Sequence, residues 1–369
     1  MESFSNPGAE PARPPDGSAH DTIDAGGRAT ATAADEPRDA RPAVDDGARA
    51  RAARRDAQLP LSLKDRLLFY LMVGVIHALS LIPDFVLYPL GIAGGFIGYL
   101  LDRRHHVIGL KNLAIAFPER SATEHRRILR ASYVNLGRGG AEYVRLGGFF
   151  YHRLKRRVSY DRIAYWDDVR ARNPGRGLII LSAHFGNFEL LAPAHALHGH
   201  QIGLVHHTQR FLPGDALMTF VRERVGVEVM RKHSAARAVL KALRADGTVG
   251  VPFDQNAKRG EAVFVPFFGE PAATTGGLAR IVAISHAPVI PAFIVREPGM
   301  RRHRIEIQDE VEIQRSADRE ADIAENTRRF TATIEAIVRR YPEQFLWTHR
   351  RYRTRPRGMA AIYPPKKSA

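Results

Sequence analysis

The segment Ser182-Ala183-His184-Phe185-Gly186-Asn187-Phe188-Glu189 sets an imidazole five residues ahead of a carboxylate. At about 100° per residue, that spacing would leave the two side chains roughly 140° apart around a regular helix. They meet only if His184 lies on a loop after a strand, with Gly186 allowing a tight turn and Asn187 capping the helix that follows. An imidazole at the carboxyl end of a strand, held by a carboxylate in the first turn of a helix, is a general base of fixed tautomer. Taken alone, the H-x4-E spacing is a weak pattern that favours a hydrogen-bonded turn histidine beside a solvated helix acid. Asp254, in VPFDQNAKRG, follows another apolar run whose end is expected on the same side as His184, where it either supports the site or caps its own loop.

Other chemistries find less in the chain. It has no cysteine, which excludes disulfides, thiolate metal sites, iron–sulfur clusters and a thiol nucleophile. His195, His198, His200, His206 and His207 make a locally His-rich stretch, yet no HExxH motif or nearby carboxylate completes a zinc site, and no metal is expected. No G-x-S-x-G elbow or G-x-x-x-x-G-K-[ST] loop occurs, and Gly269, Gly276 and Gly277 form no dinucleotide fingerprint.

The elements that would position these residues are strands alternating with helices. Short apolar runs stand at 178–182, 202–206, 227–230, 248–253, 263–267, 289–295 and 303–308, with helical patterns at 211–225, 234–245, 275–286 and 319–341. This alternation predicts an α/β fold with a mostly parallel sheet flanked by helices. Upstream, 107–172 reads as helical, with a capping box at Ser121-Ala-Thr-Glu124.

Residues 1–60 are rich in Ala, Asp, Arg, Pro and Gly and are expected to be a disordered tail without a secretory signal. Residues 61–106 hold two apolar runs, LLFYLMVGVIHALSLIP and FVLYPLGIAGGFIGYLL, closed by Lys64 and Arg66 before and Arg103 and Arg104 after. One tilted membrane helix, a hairpin dipping into one leaflet, and two core helices all fit these runs; the flanking cations favour a membrane anchor. Residues 107–358 form the expected catalytic domain, and 359–369 a short tail. The chain carries 55 Lys+Arg against 39 Asp+Glu, net +16; the first 60 residues contribute −3, so the folded part is strongly basic and expects an anionic partner. Arginines from 339 to 357, interleaved with Trp347 and Tyr352, suit lipid headgroups or nucleic acid. The apolar runs favour lipid.

SAHFGNFE resembles the H-x4-D/E motif of glycerolipid-type acyltransferases, most closely the form found in the lipid A biosynthesis (late) acyltransferase family. LKNLAIAFPERS (110–121), VFVPFFGEPAATTGGLARIVAISHAPVIPAFIV (263–295) and PEQFLWTHRRYRTRP (342–356) are similar to further blocks of that family in the same order. Phe188 and Phe345 stand where Trp is usual, and Tyr352 and Arg353 where Trp and Lys are usual. The resemblance implies a glycerolipid acyltransferase-like fold and transfer of a fatty acyl chain from acyl carrier protein to a hydroxyl of a lipid A precursor. It implies no cofactor, and a place at the bacterial inner membrane with the catalytic domain facing the cytoplasm. By the same resemblance His184 is the base, Glu189 its orienter, and Arg222 or Arg231, which the sequence does not separate, supports the site with Asp254. Acyl-CoA as donor, and a lysophospholipid, amino-acid lipid or mannosylated lipid as acceptor, are the alternatives within the class. From another class, a basic nucleic-acid-binding protein with an accidental H-x4-E remains as a rival, and no nucleic acid is expected.

Overall fold

A computed structural model describes residues 61–206, 208–231, 235–299 and 301–363. The expected tail 1–60, and residues 364–369 of the C-terminal tail, lie outside the described residues. Among the described residues, β1 (Val158–Tyr160), β2 (Leu178–Ser182), β3 (Ile202–His206), β4 (Val227–Arg231), β5 (Thr248–Pro252), β8 (Val289–Arg296) and β9 (His303–Ile307) form one sheet in the order β1-β9-β8-β2-β5-β3-β4. All neighbours are parallel except β8 and β9. This is the α/β fold that the alternation of strands and helices predicts.

Every residue of β2 is buried, as a central parallel strand covered on both faces requires. Its side chains alternate between two cores. Leu178 and Ile180 pack with Ile290, Ile202 and Val227 on one face; Ile179 and Leu181 pack with Val249, Val289 and Phe293 on the other. Helices α5 (Ile163–Arg172), α6 (Phe188–Leu197) and α7 (Leu212–Glu223) cover the first face. Helices α8 (Ala235–Arg244), α9 (Gly277–Ser285) and α10 (Arg319–Arg340) cover the second.

Two expectations about the elements are corrected. The run at 263–267 is not a strand of the main sheet: β6 (Ala262–Phe267) pairs antiparallel with β7 (Glu270–Thr275) in a separate hairpin. Its turn takes Phe268 and Gly269 at φ 53° and 77°, both left-handed, as tight hairpin turns do. The stretch 107–172 is not helical throughout, because β1 lies within it; three residues on a sheet edge are too few to show a period. Tyr363, in the segment expected to be a tail, is buried, and its hydroxyl donates to Asn112 Oδ1 at 2.5 Å.

Ahead of the sheet, α1 (Leu63–Leu79) and α2 (Asp84–Leu101) are joined by a short turn and each packs on α4 (Ala122–Gly147, 26 residues), which follows α3 (Arg103–Ala116). The capping box appears at Ser121 and Glu124 as expected. By length and composition α2 could cross a membrane, though no membrane is present. It runs antiparallel along α4 at a distance set by glycines: a Cβ on Gly91 would lie 2.7 Å from the Gly137 carbonyl oxygen, and one on Gly137 would strike the Gly91 carbonyl. Backbones this close leave no room for side chains. Gly137→Val is therefore expected to destabilise the detergent-solubilised protein by about 1–3 kcal/mol through overpacking, read as a fall in thermal midpoint. Gly74→Ala, which meets open space on α1, is the control, and equal midpoints for the two variants would refute the close packing.

Candidate active site

β2 and β5 are neighbours in parallel register, Ser182 opposite Pro252. His184 and Asp254 therefore leave the same end of the sheet side by side, each two residues beyond its strand. The Asp254 Oδ1 atom lies 2.8 Å from His184 Nδ1 and also accepts the His184 backbone N–H at 3.1 Å. A proton on Nδ1 facing this carboxylate leaves Nε2 as the free lone pair. The Gln255 side-chain amide approaches that Nε2 at 3.2 Å, and the Phe188 ring packs against the imidazole with centroids 4.8 Å apart. Burial alone would depress the imidazole; the buried Asp254 carboxylate outweighs it and holds His184 above its ordinary value. Burial would raise Asp254, and His184 in turn keeps it below the usual carboxylate range.

The expectation that Glu189 itself holds the imidazole is thus corrected at the level of contact. The carboxylate on His184 belongs to Asp254, because the β2–β5 register brings that residue alongside, whereas Glu189 sits in the first turn of α6 and faces α7. There Arg222 Nη2 donates to both Glu189 oxygens at 2.9 and 2.8 Å. Glu189 still acts on His184 through space, as one of the charges that raise it.

The structure also separates the two candidate arginines. Arg222 is buried on α7, and its Nη1 donates to His206 Nδ1 at 2.8 Å. His206 Nε2 donates onward to Asp215 Oδ1 at 2.7 Å, and Arg231 at the end of β4 reaches Asp215 Oδ2 at 3.3 Å. Glu189, Arg222, His206, Asp215 and Arg231 are one chain of polar contacts, with the Glu189–Arg222 pair at one end and the Asp215–Arg231 pair at the other. Burial, with Arg222 beside it, keeps His206 below its ordinary value, so a neutral ring links the two ion pairs.

The loop carrying His184 is held from three directions. Gly186 takes φ +62°, and a Cβ there would collide with the Ile294 carbonyl, so only glycine fits. Asn187 donates to Glu142 of α4 at 2.6 Å, and Glu142 is itself buried between Arg296 and His303. From the C-terminal segment, the Gly186 N–H donates to the Gln344 carbonyl at 2.8 Å and the Leu346 N–H to the His184 carbonyl at 3.1 Å. His349 accepts the Asn256 N–H at 3.0 Å, fixing the loop that bears Asp254; burial lowers it to about 4, which keeps it a neutral acceptor.

The aromatic and basic C-terminal residues form an outer face only in part: Arg339, Arg340, Arg353 and Arg357 are exposed. Trp347, Tyr352, Arg351 and Arg355 are buried. Arg351 donates to the Ala273 carbonyl at 2.9 Å and Arg355 to the Pro271 carbonyl at 2.9 Å, so these guanidiniums tie down the β6–β7 hairpin. Among the described residues no group of three His, Asp or Glu is placed to hold a metal ion. His195 is bound to the Tyr160 hydroxyl at 2.7 Å and His198 to the Val158 carbonyl at 3.1 Å.

A family model described as bacterial lipid A biosynthesis acyltransferase matches residues 58–354. The chain belongs to that family. It is an acyltransferase, similar to the lipid A biosynthesis lauroyltransferase of Escherichia coli K12 at 27% identity over 298 residues, 80% of this chain and 94% of the relative. It is likewise 28% identical to the lipid A biosynthesis palmitoleoyltransferase of the same organism over 79% of this chain and 92% of that protein, and 26% identical to its lipid A biosynthesis myristoyltransferase over 80% and 90%. In this acyltransferase, sequence reasoning missed His206, Asp215, Gln255 and His349. Of these only Gln255 carried a local signal, as the neighbour of Asp254; His206 and Asp215 meet where the end of β3 faces α7, and His349 reaches the Asp254 loop from the C-terminal segment.

If Asp254 holds His184 as described, the His184 resonance in 15N-histidine NMR, assigned by its loss in His184→Ala, titrates above an ordinary imidazole value of about 6.5. It falls below the wild-type value in Asp254→Asn. An unchanged midpoint in that variant would show that the carboxylate does not govern the ring.

Proposed function

We propose that this acyltransferase moves a fatty acyl chain from acyl carrier protein to a hydroxyl of a lipid A precursor, at the bacterial inner membrane with its catalytic domain facing the cytoplasm. The observation that carries the reading is the His184 ring, with Nδ1 held by Asp254 and Nε2 directed away from it. The names of the similar enzymes support the acceptor class, and the basic folded part suits both an acidic carrier protein and a phosphorylated glycolipid. No cofactor is required.

In this mechanism His184 Nε2 displaces its contact with Gln255 and takes the proton of the acceptor hydroxyl as the oxygen attacks the thioester carbonyl. The tetrahedral oxyanion is met by backbone N–H groups in the first turn of α6, since Gly186 N–H is committed to Gln344 and Arg222 to Glu189 and His206. On collapse the carbon–sulfur bond breaks, and the imidazolium returns its proton to the departing carrier thiolate. Asp254 is the direct partner of the transient imidazolium. Glu189 is a positioning residue that holds Arg222 and adds negative charge near the ring.

The test is transfer from labelled acyl carrier protein to a panel of lipid acceptors. His184→Ala is expected to lose at least about a hundredfold in rate, the low end of general-base contributions; near wild-type rate would refute the assignment. Catalysis needs the neutral ring and Asp254 raises its pKa, so kcat/KM rises with pH through a midpoint above about 6.5. In Asp254→Asn the residual activity has its acid limb displaced to lower pH, because the carboxylate that favoured the protonated ring is gone. A limb that stays in place would assign the titration to another group.

A further inference from the structure

We propose that the consecutive helices α1 and α2 are a monotopic anchor, lying in the plane of a single anionic leaflet on the same side as the catalytic domain, and crossing nothing. The proposal rests on the membrane association put forward above and specifies its geometry.

The two helices are fastened to one body at three places. Near the start of α1, Phe69 packs edge-on against Phe220 of α7 with ring centroids 6.0 Å apart. At the end of α2, Asp102 accepts the Tyr133 hydroxyl of α4 at 3.3 Å. The turn between the helices is held hardest. Arg145 of α4 donates to the carbonyls of Ser80 and Ile82 and pairs with Asp84 at 2.7 Å. Arg157 and Arg301 converge on the same carboxylate. Between the turn and its end, α2 follows α4 backbone against backbone through Gly91, Gly95 and Gly137. Helices of 17 and 18 residues are about 25–27 Å long. Two helices thrust turn-first into the bilayer would carry their turn that far from the body to which the turn is bound.

The side turned away from the body is apolar. Leu67, Leu71 and Val75 recur on α1 and Val86, Leu90 and Ile97 on α2, all between 38% and 63% exposed. Exposed cations stand at the ends: Lys64 and Arg66 at one, Arg103 and Arg104 at the next, and Arg153 beside the turn. An apolar face with cations on its rim at both ends matches acyl chains below and anionic headgroups around, the arrangement of an in-plane amphipathic element. A helix that spans the bilayer shows cationic excess chiefly at its cytoplasmic end.

The absence of cysteine from the chain makes the test direct. Lys64→Cys, Leu81→Cys and Arg104→Cys, with Arg319→Cys as the marker of the catalytic domain, are exposed to a membrane-impermeant maleimide in sealed vesicles of both orientations. All four are expected to label from the same face, and labelling of Leu81→Cys only from the opposite face overturns the proposal while leaving membrane association intact. Depth is read separately, with a fluorophore on Val75→Cys, Leu90→Cys or Leu101→Cys of protein bound to phosphatidylglycerol-containing vesicles. Lipids brominated near the headgroup are expected to quench all three about twofold or more strongly than lipids brominated at the chain end; a mid-helix site quenched best from the chain end overturns the in-plane geometry. Failure of the wild type to bind such vesicles or to sediment with membranes removes the association itself, and this proposal with it.

Discussion

The parallel register of β2 on β5 is the constraint on which the site depends. With Ser182 opposite Pro252, the chain two residues past each strand arrives at the same depth, and an imidazole and a carboxylate meet without a long loop to place either. A slip of one residue would turn every β2 side chain to the other core and move Leu178 and Ile180 away from Ile290 and Ile202. Burial of the apolar strand faces therefore fixes the register, and the register fixes the His184–Asp254 contact. The pair sits at the carboxyl ends of adjacent central strands, where open α/β sheets place their ligands.

Around that pair, buried charge is arranged so that none stands alone. Glu142 lies between Arg296 and His303 and holds Asn187; Arg222 lies between Glu189 and His206. Breaking such a pair costs several kcal/mol, while forming it adds little net stability. What these pairs supply here is position. They connect α4, α6 and α7 to the turn bearing His184 through polar contacts with fixed directions, which packing of Leu and Ile does not provide.

Much of this was legible in the sequence, for reasons that differ by residue. The strands β2, β3, β5, β8 and β9 are short apolar runs between helical patterns, and His184 and Asp254 each end such a run. The helix after Asn187 could be read from its turn residues, but Asn187 does not cap it as expected: its side chain makes no cap hydrogen bond and turns to Glu142 instead. Which carboxylate faces the imidazole could not be read, because Glu189 is near in sequence and Asp254 is near only once strand order is known. The Glu189–Arg222–His206–Asp215–Arg231 chain was hidden for the same cause, and β1 and β7 were too short or too rich in Ala and Pro to carry a period. The C-terminal arginines show a further limit. Their clustering reads as an outer face, yet Arg351 and Arg355 are buried against carbonyl oxygens of the β6–β7 hairpin.

The contacts between the His184 turn and residues 344–349 join parts of the chain about 160 positions apart. The turn cannot complete its backbone hydrogen bonds, nor can the Asp254 loop acquire its His349 acceptor, until residues 344–349 have been made and folded back. A chain cut before residue 344 would therefore keep both apolar helices and the central strands and lose the hydrogen bonds that hold the His184 turn.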